Sequence, residues 1–339
     1  MSPKKSQGLS LLGKPPTLLD ALGQYVCDPI PCCHVLAGSA TIATRPLRVP
    51  LFNNTNALGI LILATAPLTY HDDSTVLIIG VGLMGQHMAS HVLQWIKPKK
   101  LILIDHSQTI GVGTTKMALV NFAKGLSDAN AGATEVVAES VDITSEEAVH
   151  GFFSKHPGIH YFMHTAGISP KPLTPPEELT KEDVMGACEV NLWGAHNVLK
   201  HGVKTGAFGK GTRGVIVLST SATVGAEGRA SSAYEESKGG LLNFLRLQSR
   251  HFVEKYGVIL NGLAPSPLRG PMAAQNPTSA GRLQAVEDAM PMGGLTEPKH
   301  ISAATMYFWA EECWCMGEVL TTDGGYTKHR PIYGALSPS

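Results

Sequence analysis

The fold is decided by residues 76–89, which read VLIIGVGLMGQHMA and place glycines at Gly80, Gly82 and Gly85. Four apolar residues precede the first glycine, and a helix-compatible segment follows the last one. The spacing Gly-x-Gly-x-x-Gly is a weak signal by itself. Between an apolar strand and a helix, however, it predicts a tight turn that lets a pyrophosphate lie on the N-terminus of the helix.

A second apolar run, Leu101–Ile104, leads into an acidic residue. Asp105 stands 20 residues after Gly85, where a carboxylate can accept hydrogen bonds from the ribose of a bound dinucleotide. Together the two features predict a dinucleotide site. The alternative, a glycine turn without a ligand and Asp105 as a strand-end cap, stays open at this point.

Asp105 also favours NAD over NADP. The 2′-phosphate of NADP would bring about two negative charges against this carboxylate, and like charges in contact are unfavourable. The loop Gly80–Gly85 contains no arginine or lysine, and the next residue, His106, is a weak counter-charge. The lysines that begin this strand lie at its far end.

From Val76 onward, short apolar runs alternate with longer amphipathic stretches, which predicts an α/β fold with a doubly wound parallel sheet of the Rossmann type. The runs are Val76–Ile79, Leu101–Ile104, Glu135–Ala138, Tyr161–His164, Gly214–Leu218, Val258–Leu263 and Glu318–Thr322. Residues 1–71 do not follow this rhythm. We therefore expect an N-terminal extension over 1–71, a dinucleotide-binding and catalytic domain over 72–330, and a tail over 331–339.

Composition narrows the class of protein. The 339 residues carry 27 lysines and arginines against 27 acidic residues, a balance that argues against a nucleic-acid partner. The apolar stretch at residues 57–68 is too short to span a membrane and contains Pro67. Six cysteines without a Cys-x-x-Cys pair indicate reduced thiols in a cytoplasmic protein.

Tyr234 and Lys238 are four residues apart at the start of a predicted helix, so they lie on one face of it. An ammonium near a phenol favours the phenolate, and we therefore expect Lys238 to lower the pKa of Tyr234 from its usual value of about 10. Such a tyrosine is a usable general acid and base. Ser221, thirteen residues before Tyr234, is placed to hold a substrate oxygen.

At this point the sequence resembles the short-chain dehydrogenase/reductase family over about residues 74–327. The segments that match its pattern are Asp142-Ile143, His164-Thr165-Ala166-Gly167, Asn191, Asn261–Pro265 and Asp323-Gly-Gly-Tyr326. Four features depart from that pattern: a glycine loop about one residue shorter, His164-Thr165 in place of two asparagines, Ser266 in place of glycine, and Gly270 near the usual threonine.

The resemblance implies a catalytic set of Asn191, Ser221, Tyr234 and Lys238. Tyr234 would exchange a proton with the substrate oxygen, Ser221 would hold that oxygen, Lys238 would touch the ribose, and Asn191 would orient a water. The cofactor NAD would be bound by Gly80, Gly82, Leu83, Met84, Gly85, Asp105, His106, Asp142, Ile143, Thr165, Ala166, Gly167, Tyr234, Lys238, Pro265, Ser266 and Leu268.

Function and assembly follow from the same resemblance. We expect an NAD-dependent oxidoreductase that interconverts a secondary alcohol and a ketone, with a redox-neutral epimerase or cyclase and a non-catalytic dinucleotide sensor as alternatives. Met272, Met290 and Met292 favour a hydrophobic or cyclic small-molecule substrate, unless they pack against the protein itself. A homodimer or homotetramer would form through the Tyr234 helix, whose apolar face carries Leu241, Leu242, Phe244 and Leu245.

Two groups of histidines and cysteines contain possible metal ligands, but the spacing of neither group supports a metal site. His87 and His91 lie four residues apart on the helix of the glycine loop, without the glutamate that follows the first histidine in zinc proteases. Cys27 lies close to Cys32-Cys33-His34, but at an unsuitable spacing. The sequence therefore predicts no metal.

Overall fold

A computed structural model describes residues 68–170, 174–223, 232–270, 272 and 279–328. Most of the predicted N-terminal extension and all of the predicted tail lie outside these residues. So do Cys27, Cys32, Cys33 and His34.

The core of the described chain is a seven-stranded parallel sheet in the order β5-β2-β1-β6-β7-β8-β9. Its strands are β1 Thr75–Ile79, β2 Lys100–Asp105, β5 Glu135–Ser140, β6 Tyr161–His164, β7 Arg213–Val217, β8 Ile259–Pro265 and β9 Val319–Thr322. The strand order reverses between β1 and β6, the point at which such sheets bind ligands. The predicted doubly wound sheet is confirmed.

Helices cover both faces of the sheet. They are α1 Leu83–Trp95, α2 Leu119–Ala129, α3 Glu146–Lys155, α4 Lys181–Cys188, α5 Gly194–Lys204, α6 Ser232–Tyr256, α7 Ser279–Asp288 and α8 Pro298–Trp309. A π-helical turn, Glu189–Trp193, joins α4 to α5. None of the helices in the described ranges combines the length and the apolar character needed to cross a membrane.

Alternate side chains of β1 lie in the two halves of the core, because successive side chains of a strand point to opposite faces. Val76 and Ile78 pack with α1, α2 and α8, where Trp309 is fully buried. Leu77 and Ile79 pack with α3, α5 and α6. This double burial explains why the strands read as continuous apolar runs.

A short antiparallel hairpin, which the hydrophobic pattern of the sequence does not predict, follows β2. Its strands are β3 Thr109–Val112 and β4 Thr115–Ala118. Gln86 of α1 donates hydrogen bonds to the carbonyl oxygens of Gly111 (2.7 Å) and Val81 (2.8 Å). The hairpin is thereby attached beside the glycine loop.

The segment Thr69–His71, predicted to belong to the extension, contacts the domain. The Thr69 N–H and hydroxyl donate to the carboxylate of Glu312 (3.0 and 2.6 Å). The His71 N–H donates to the Tyr161 hydroxyl (2.7 Å). The predicted boundary at residue 71 therefore falls inside a segment held by the domain.

The apolar face of α6 turns inward. Leu241, Leu242 and Leu245 are buried in the core of the same chain, and Phe244 packs against that core. The leucines named above as a basis for oligomerisation are therefore not free for a second copy.

Candidate active site

The glycine loop leaves no room for side chains at two of its positions. Gly80 has φ +90°, a conformation that favours glycine, and a Cβ atom there would lie 2.6 Å from the backbone nitrogen of Ala166. A Cβ atom on Gly85 would lie 2.0 Å from the carbonyl oxygen of Gly80. The strand and helix therefore approach each other as closely as a dinucleotide-binding turn requires.

The start of α1 is open in this structure. Gly82 is exposed, and a Cβ atom there would meet nothing of the protein within 4 Å. The helix has no side-chain cap and no acidic residue in its first turn. Uncapped N–H groups and the positive end of the helix dipole suit an anion, so the site fits the pyrophosphate of a dinucleotide, next to the half-buried side chains of Leu83 and Met84.

Asp105 joins the end of β2 to the glycine loop. Its Oδ2 accepts a hydrogen bond from the Val81 N–H (2.8 Å), and its Oδ1 accepts one from the Ser107 N–H (3.0 Å). His106 is exposed, with its Nδ1 3.2 Å from Asp105 Oδ1. A carboxylate has about four lone-pair positions, so Asp105 both caps the strand end and keeps acceptor capacity for a ribose.

Residues after the end of β6 form hydrogen bonds with β1 and the glycine loop. The N–H groups of Thr165 and Ala166 donate to the Ile79 carbonyl (2.8 and 3.0 Å). The Thr165 hydroxyl donates to the Gly80 carbonyl (2.6 Å). Thr165 and Ala166, predicted to contact cofactor, therefore lie against the glycine loop.

Asp142 and Ile143 follow β5 at the same edge of the sheet. Asp142 is exposed and accepts hydrogen bonds at Oδ1 from the N–H and hydroxyl of Thr144 (2.9 and 2.8 Å). Ile143 is buried, and a Cβ atom on Gly194 would lie 2.6 Å from it. The side chain of Ile143 belongs to the core, which leaves its backbone for a cofactor contact.

Lys238 reaches from α6 to the end of β7. Its side chain is buried, its Nζ donates to the Val217 carbonyl (2.8 Å), and it lies 5.9 Å from the centre of the Tyr234 ring. Burial lowers the pKa of Lys238 to about 8. The two residues thus share one face of α6, as predicted.

The expectation for the Tyr234 pKa is wrong for this structure. Burial raises the pKa of Tyr234, because removal from water disfavours the phenolate, and only an interaction with Ser219 acts in the opposite direction. Lys238 Nζ lies over the Tyr234 ring and donates a hydrogen bond to the Val217 carbonyl.

Ser221 lies in the 3₁₀ turn Thr220–Ala222 after β7, and a second serine accompanies it. The hydroxyl oxygens of Ser219 and Ser221 are 2.7 Å apart, and Ser219 Oγ also accepts from the Ser221 N–H (3.2 Å). Sequence reasoning missed Ser219, since only the spacing to Tyr234 was considered. Its position two residues before Ser221 was the available signal.

Asn191 occupies the π-helical turn and is fully buried. Its Oδ1 accepts from the Ile168 N–H (2.8 Å), and its Nδ2 donates to the Ile168 carbonyl (2.9 Å) and the Ser237 hydroxyl (2.8 Å). A Cβ atom on Gly167 would lie 3.1 Å from Asn191 Oδ1 and 3.3 Å from Lys238 Nζ. The structure therefore brings Asn191 and Lys238 to the same glycine.

His164 ends β6 and is buried at 1% exposure. Within the described residues neither of its ring nitrogens has a hydrogen-bond partner. Burial, followed by the charge of Lys238, lowers the pKa of His164 to about 3, so the ring is neutral at pH 7. His164 is therefore a buried, neutral imidazole close enough to Lys238 to feel its charge.

The segment after β8 is fixed by hydroxyl groups. Ser266 is buried and its Oγ lies 2.7 Å from the Thr296 hydroxyl, which donates to the Thr322 carbonyl (2.9 Å). Pro265 is buried and Leu268 half-buried. The Ser266 side chain thus joins β8 to β9, and a nicotinamide contact here would use the backbone.

The methionines near this segment differ in their surroundings. Met290 is buried in a small cluster with Val286 and Leu295, which corresponds to packing against the protein itself. Met272 and Met292 are exposed, Met292 by 83%. The Met292 N–H donates to the Gly324 carbonyl (3.2 Å), just beyond β9, so Met292 lies at the carboxyl edge of the sheet.

His87 and His91, the candidate metal pair, make contacts within the protein. His87 is buried, and its Nδ1 lies 2.8 Å from the Ser302 hydroxyl of α8. Burial lowers the pKa of His91, whose ring stacks on His87 at 5.9 Å, to about 4. Among the described residues no group of three potential metal ligands comes together.

The chain is similar in sequence to known dehydrogenases and reductases. A family model described as enoyl-(acyl carrier protein) reductase matches residues 114–327. Short-chain dehydrogenase reductase 3c of Arabidopsis thaliana is 30% identical over 198 residues, 56% of this chain and 75% of the relative. L-fucose dehydrogenase of Bos taurus is 26% identical over 208 residues, 58% of this chain and 75% of the relative.

A solved structure has the same fold. A short-chain type dehydrogenase/reductase from Mycobacterium ulcerans superimposes with a TM-score of 0.66 at 20% identity. The match covers 77% of this chain and 92% of that chain. At this identity the likeness extends to the fold alone.

Proposed function

The chain belongs to the short-chain dehydrogenase/reductase family of oxidoreductases, and from this premise we propose that it interconverts a secondary alcohol and a ketone with NAD(H). The observation that carries the proposal is the cluster of Tyr234, Lys238, Ser221 and Asn191 at the carboxyl edge of the sheet, beside an open glycine loop.

The cofactor would be held along this edge. The start of α1 at Gly82 would receive the pyrophosphate, Asp105 would accept from the adenosine ribose, and the backbone around Pro265 would face the nicotinamide. When bound, the nicotinamide supplies the hydride chemistry. Support for NAD over NADP comes from the charge of Asp105, which ends β2 beside the glycine loop and would repel a 2′-phosphate bound there.

Tyr234 carries the proton. In the reductive direction its hydroxyl donates a proton to the carbonyl oxygen as the carbonyl carbon gains hydride; in the oxidative direction its phenolate removes the proton of the alcohol. Ser221 donates a hydrogen bond to the same oxygen. The raised pKa of Tyr234 keeps it protonated at pH 7, which suits the reductive direction.

We propose a hydrophobic or cyclic small molecule as the substrate. Support comes from Met272 and Met292, which are exposed while Met290 packs inward. The relative named L-fucose dehydrogenase adds sugars to the compounds to be tried. The free cysteines of the described chain, Cys188, Cys313 and Cys315, support a cytoplasmic location.

We also propose a homodimer or homotetramer. Met185 on α4 and Leu247 on α6 are exposed, by 55% and 65%, and replace the buried leucines as candidates for the contact. Light scattering on the purified protein measures the assembly directly. A monomer at micromolar concentration contradicts this part of the proposal.

The function is tested with a panel of cyclic ketones, secondary alcohols and sugars, followed by the absorbance of NADH. Turnover with stoichiometric change in NADH is expected for at least one compound, and Tyr234→Phe is expected to abolish it while NAD binding stays nearly unchanged. Substrate conversion at constant NADH would establish the redox-neutral alternative. Full activity of Tyr234→Phe would remove this tyrosine as the acid and base.

A further inference from the structure

The side chain of Gln86 joins the hairpin β3–β4 to the glycine loop. Gln86 follows Gly85 directly, and its backbone N–H donates to the Gly82 carbonyl (2.9 Å) in the first turn of α1. Its Nε2 donates to the Val81 carbonyl (2.8 Å) and to the Gly111 carbonyl of β3 (2.7 Å). One residue therefore contacts the loop, the helix and the hairpin.

The amide of Gln86 uses both of its donors in these contacts. A glutamine side chain has two N–H donors, and both partners of Nε2 are backbone carbonyls, which can only accept. A rotation of the amide by a half-turn would place its oxygen against the same two carbonyls. The side chain is therefore held in one orientation, and it fixes the hairpin at one distance from the loop.

The start of the hairpin is bonded to Asp105. The Ser107 N–H donates to Asp105 Oδ1 (3.0 Å), and the Ser107 hydroxyl donates to the Thr109 carbonyl (2.7 Å) and accepts from the Thr109 N–H (3.1 Å). Asp105 Oδ2 accepts from the Val81 N–H (2.8 Å). Hydrogen bonds therefore run from Asp105 through the hairpin to Gln86 and back through Val81, in a closed ring.

The hairpin packs firmly on the domain. Ile110 and Val112 of β3 are buried in the core cluster that contains α1 and α2, and Met117 of β4 packs against that cluster. The other face of β3, with Thr109 and Gly111, is exposed. The hairpin is therefore a packed element with one free face, and it can form the wall of a binding site.

From the ring of hydrogen bonds we infer that the hairpin β3–β4 is a wall of the adenosine side of the dinucleotide site, and that Gln86 is the positioning residue that holds this wall against the glycine loop. The inference rests on the proposed function, in which Asp105 accepts from the adenosine ribose. A ribose bonded to Asp105 lies beside the ring, because the carboxylate is one of its members. The family resemblance assigns neither Gln86 nor residues 109–118.

Loss of the Gln86 amide acts on adenosine through position. Gln86→Leu keeps a side chain of similar size but leaves the carbonyls of Val81 and Gly111 without this donor. The loop and the hairpin are then free to separate, and the need to order them again opposes binding. Affinity for the adenosine half of the cofactor therefore falls.

The first test measures the Kd of AMP and of NAD by calorimetry. We expect both Kd values to rise about tenfold in Gln86→Leu, because the two ligands share the adenosine half. Ser90→Ala is the matched control: it removes a hydroxyl one turn further along α1 that donates to the Gln86 carbonyl (3.3 Å), and is expected to change neither value. Unchanged AMP affinity in Gln86→Leu overturns the inference, and so does an equal loss in Ser90→Ala, which would indicate a general effect on the helix.

The second test uses the wild type and needs no substitution. Amide hydrogen exchange is followed with and without saturating AMP. We expect AMP to slow exchange in residues 109–118 and to leave the nicotinamide side, at residues 238–256 of α6, nearly unchanged. Unchanged exchange in residues 109–118 shows that the hairpin is not a wall of the site. If the wild type binds neither AMP nor NAD, the proposed function fails, and the inference fails with it.

Discussion

The carboxylate of Asp105 accepts a 2.8 Å hydrogen bond from the N–H of Val81 and so ties the end of β2 to the glycine loop. The residue that is proposed to select NAD therefore also supports the turn that binds it. Substitutions at this position must separate these two contributions.

Asp105→Asn removes the charge and keeps an oxygen that can accept from Val81. We expect the ratio of NADP to NAD affinity to rise about tenfold or more, since the repulsion of the 2′-phosphate is relieved. Asp105→Ser shortens the side chain and is expected to weaken both cofactors as well. Equilibrium titration at constant ionic strength measures the ratios, and equal affinities of the wild type for NAD and NADP contradict the assignment.

Gly82 and Gly85 form a matched pair. Gly82→Ala is expected to leave stability within about 0.5 kcal/mol, because the new Cβ meets no protein atom. It is expected to weaken NAD binding, because the proposed pyrophosphate position adjoins that Cβ. Gly85→Ala is expected to destabilise the protein by about 1–3 kcal/mol through contact with the Gly80 carbonyl. Urea unfolding and NAD titration distinguish them, and undiminished NAD binding by Gly82→Ala would place the cofactor elsewhere.

His164 makes stability depend on pH. Its pKa is about 3 in the folded chain and about 6.5 when unfolded, so the unfolded state binds more protons between these values and stability falls as pH drops below 6.5. Between pH 7 and 5 this residue contributes a loss of about 2 kcal/mol. His164→Asn is expected to show a correspondingly smaller loss by urea unfolding at both pH values. His91 adds a slope of the same sign in both proteins, so the difference between them reports His164, and identical slopes contradict its burial.

The raised pKa of Tyr234 predicts opposite pH responses in the two directions. Alcohol oxidation requires the phenolate, so kcat/KM is expected to rise with pH from 7 to 10, by up to about tenfold per unit. Ketone reduction requires the protonated phenol and is expected to vary little over the lower part of this range. A maximum near pH 7 in the oxidative direction would show that Tyr234 is not the base.

Two truncations locate the start of the domain. Deletion of residues 1–67 keeps the hydrogen bonds from Thr69 to Glu312 and from His71 to Tyr161. We therefore expect a folded protein that binds NAD. Deletion of residues 1–71 removes these bonds and is expected to lower the free energy of unfolding by about a further 1–3 kcal/mol. Circular dichroism with urea unfolding measures both; an insoluble or unfolded first truncation would show that residues before 68 belong to the core.

The sequence by itself determined the features that depend on local pattern. Seven runs predicted the seven strands of the sheet, because burial on both faces favours continuous apolar runs in the inner strands; the edge strands β5 and β9 are only partly buried. The glycines of residues 80–85 and Asp105 predicted the turn and its partner strand. Tyr234 and Lys238 share a face of α6 because four residues make slightly more than one helical turn.

Tertiary structure alone decided what surrounds these groups. Burial raises the pKa of Tyr234, and Lys238 Nζ bonds the carbonyl of Val217 on another element. Thr69 reaches Glu312 and the leucines of α6 turn inward only after distant segments have packed together. A linear pattern records which residues can approach one another, whereas solvent exclusion and hydrogen-bond partners arise from contacts between elements far apart in the chain.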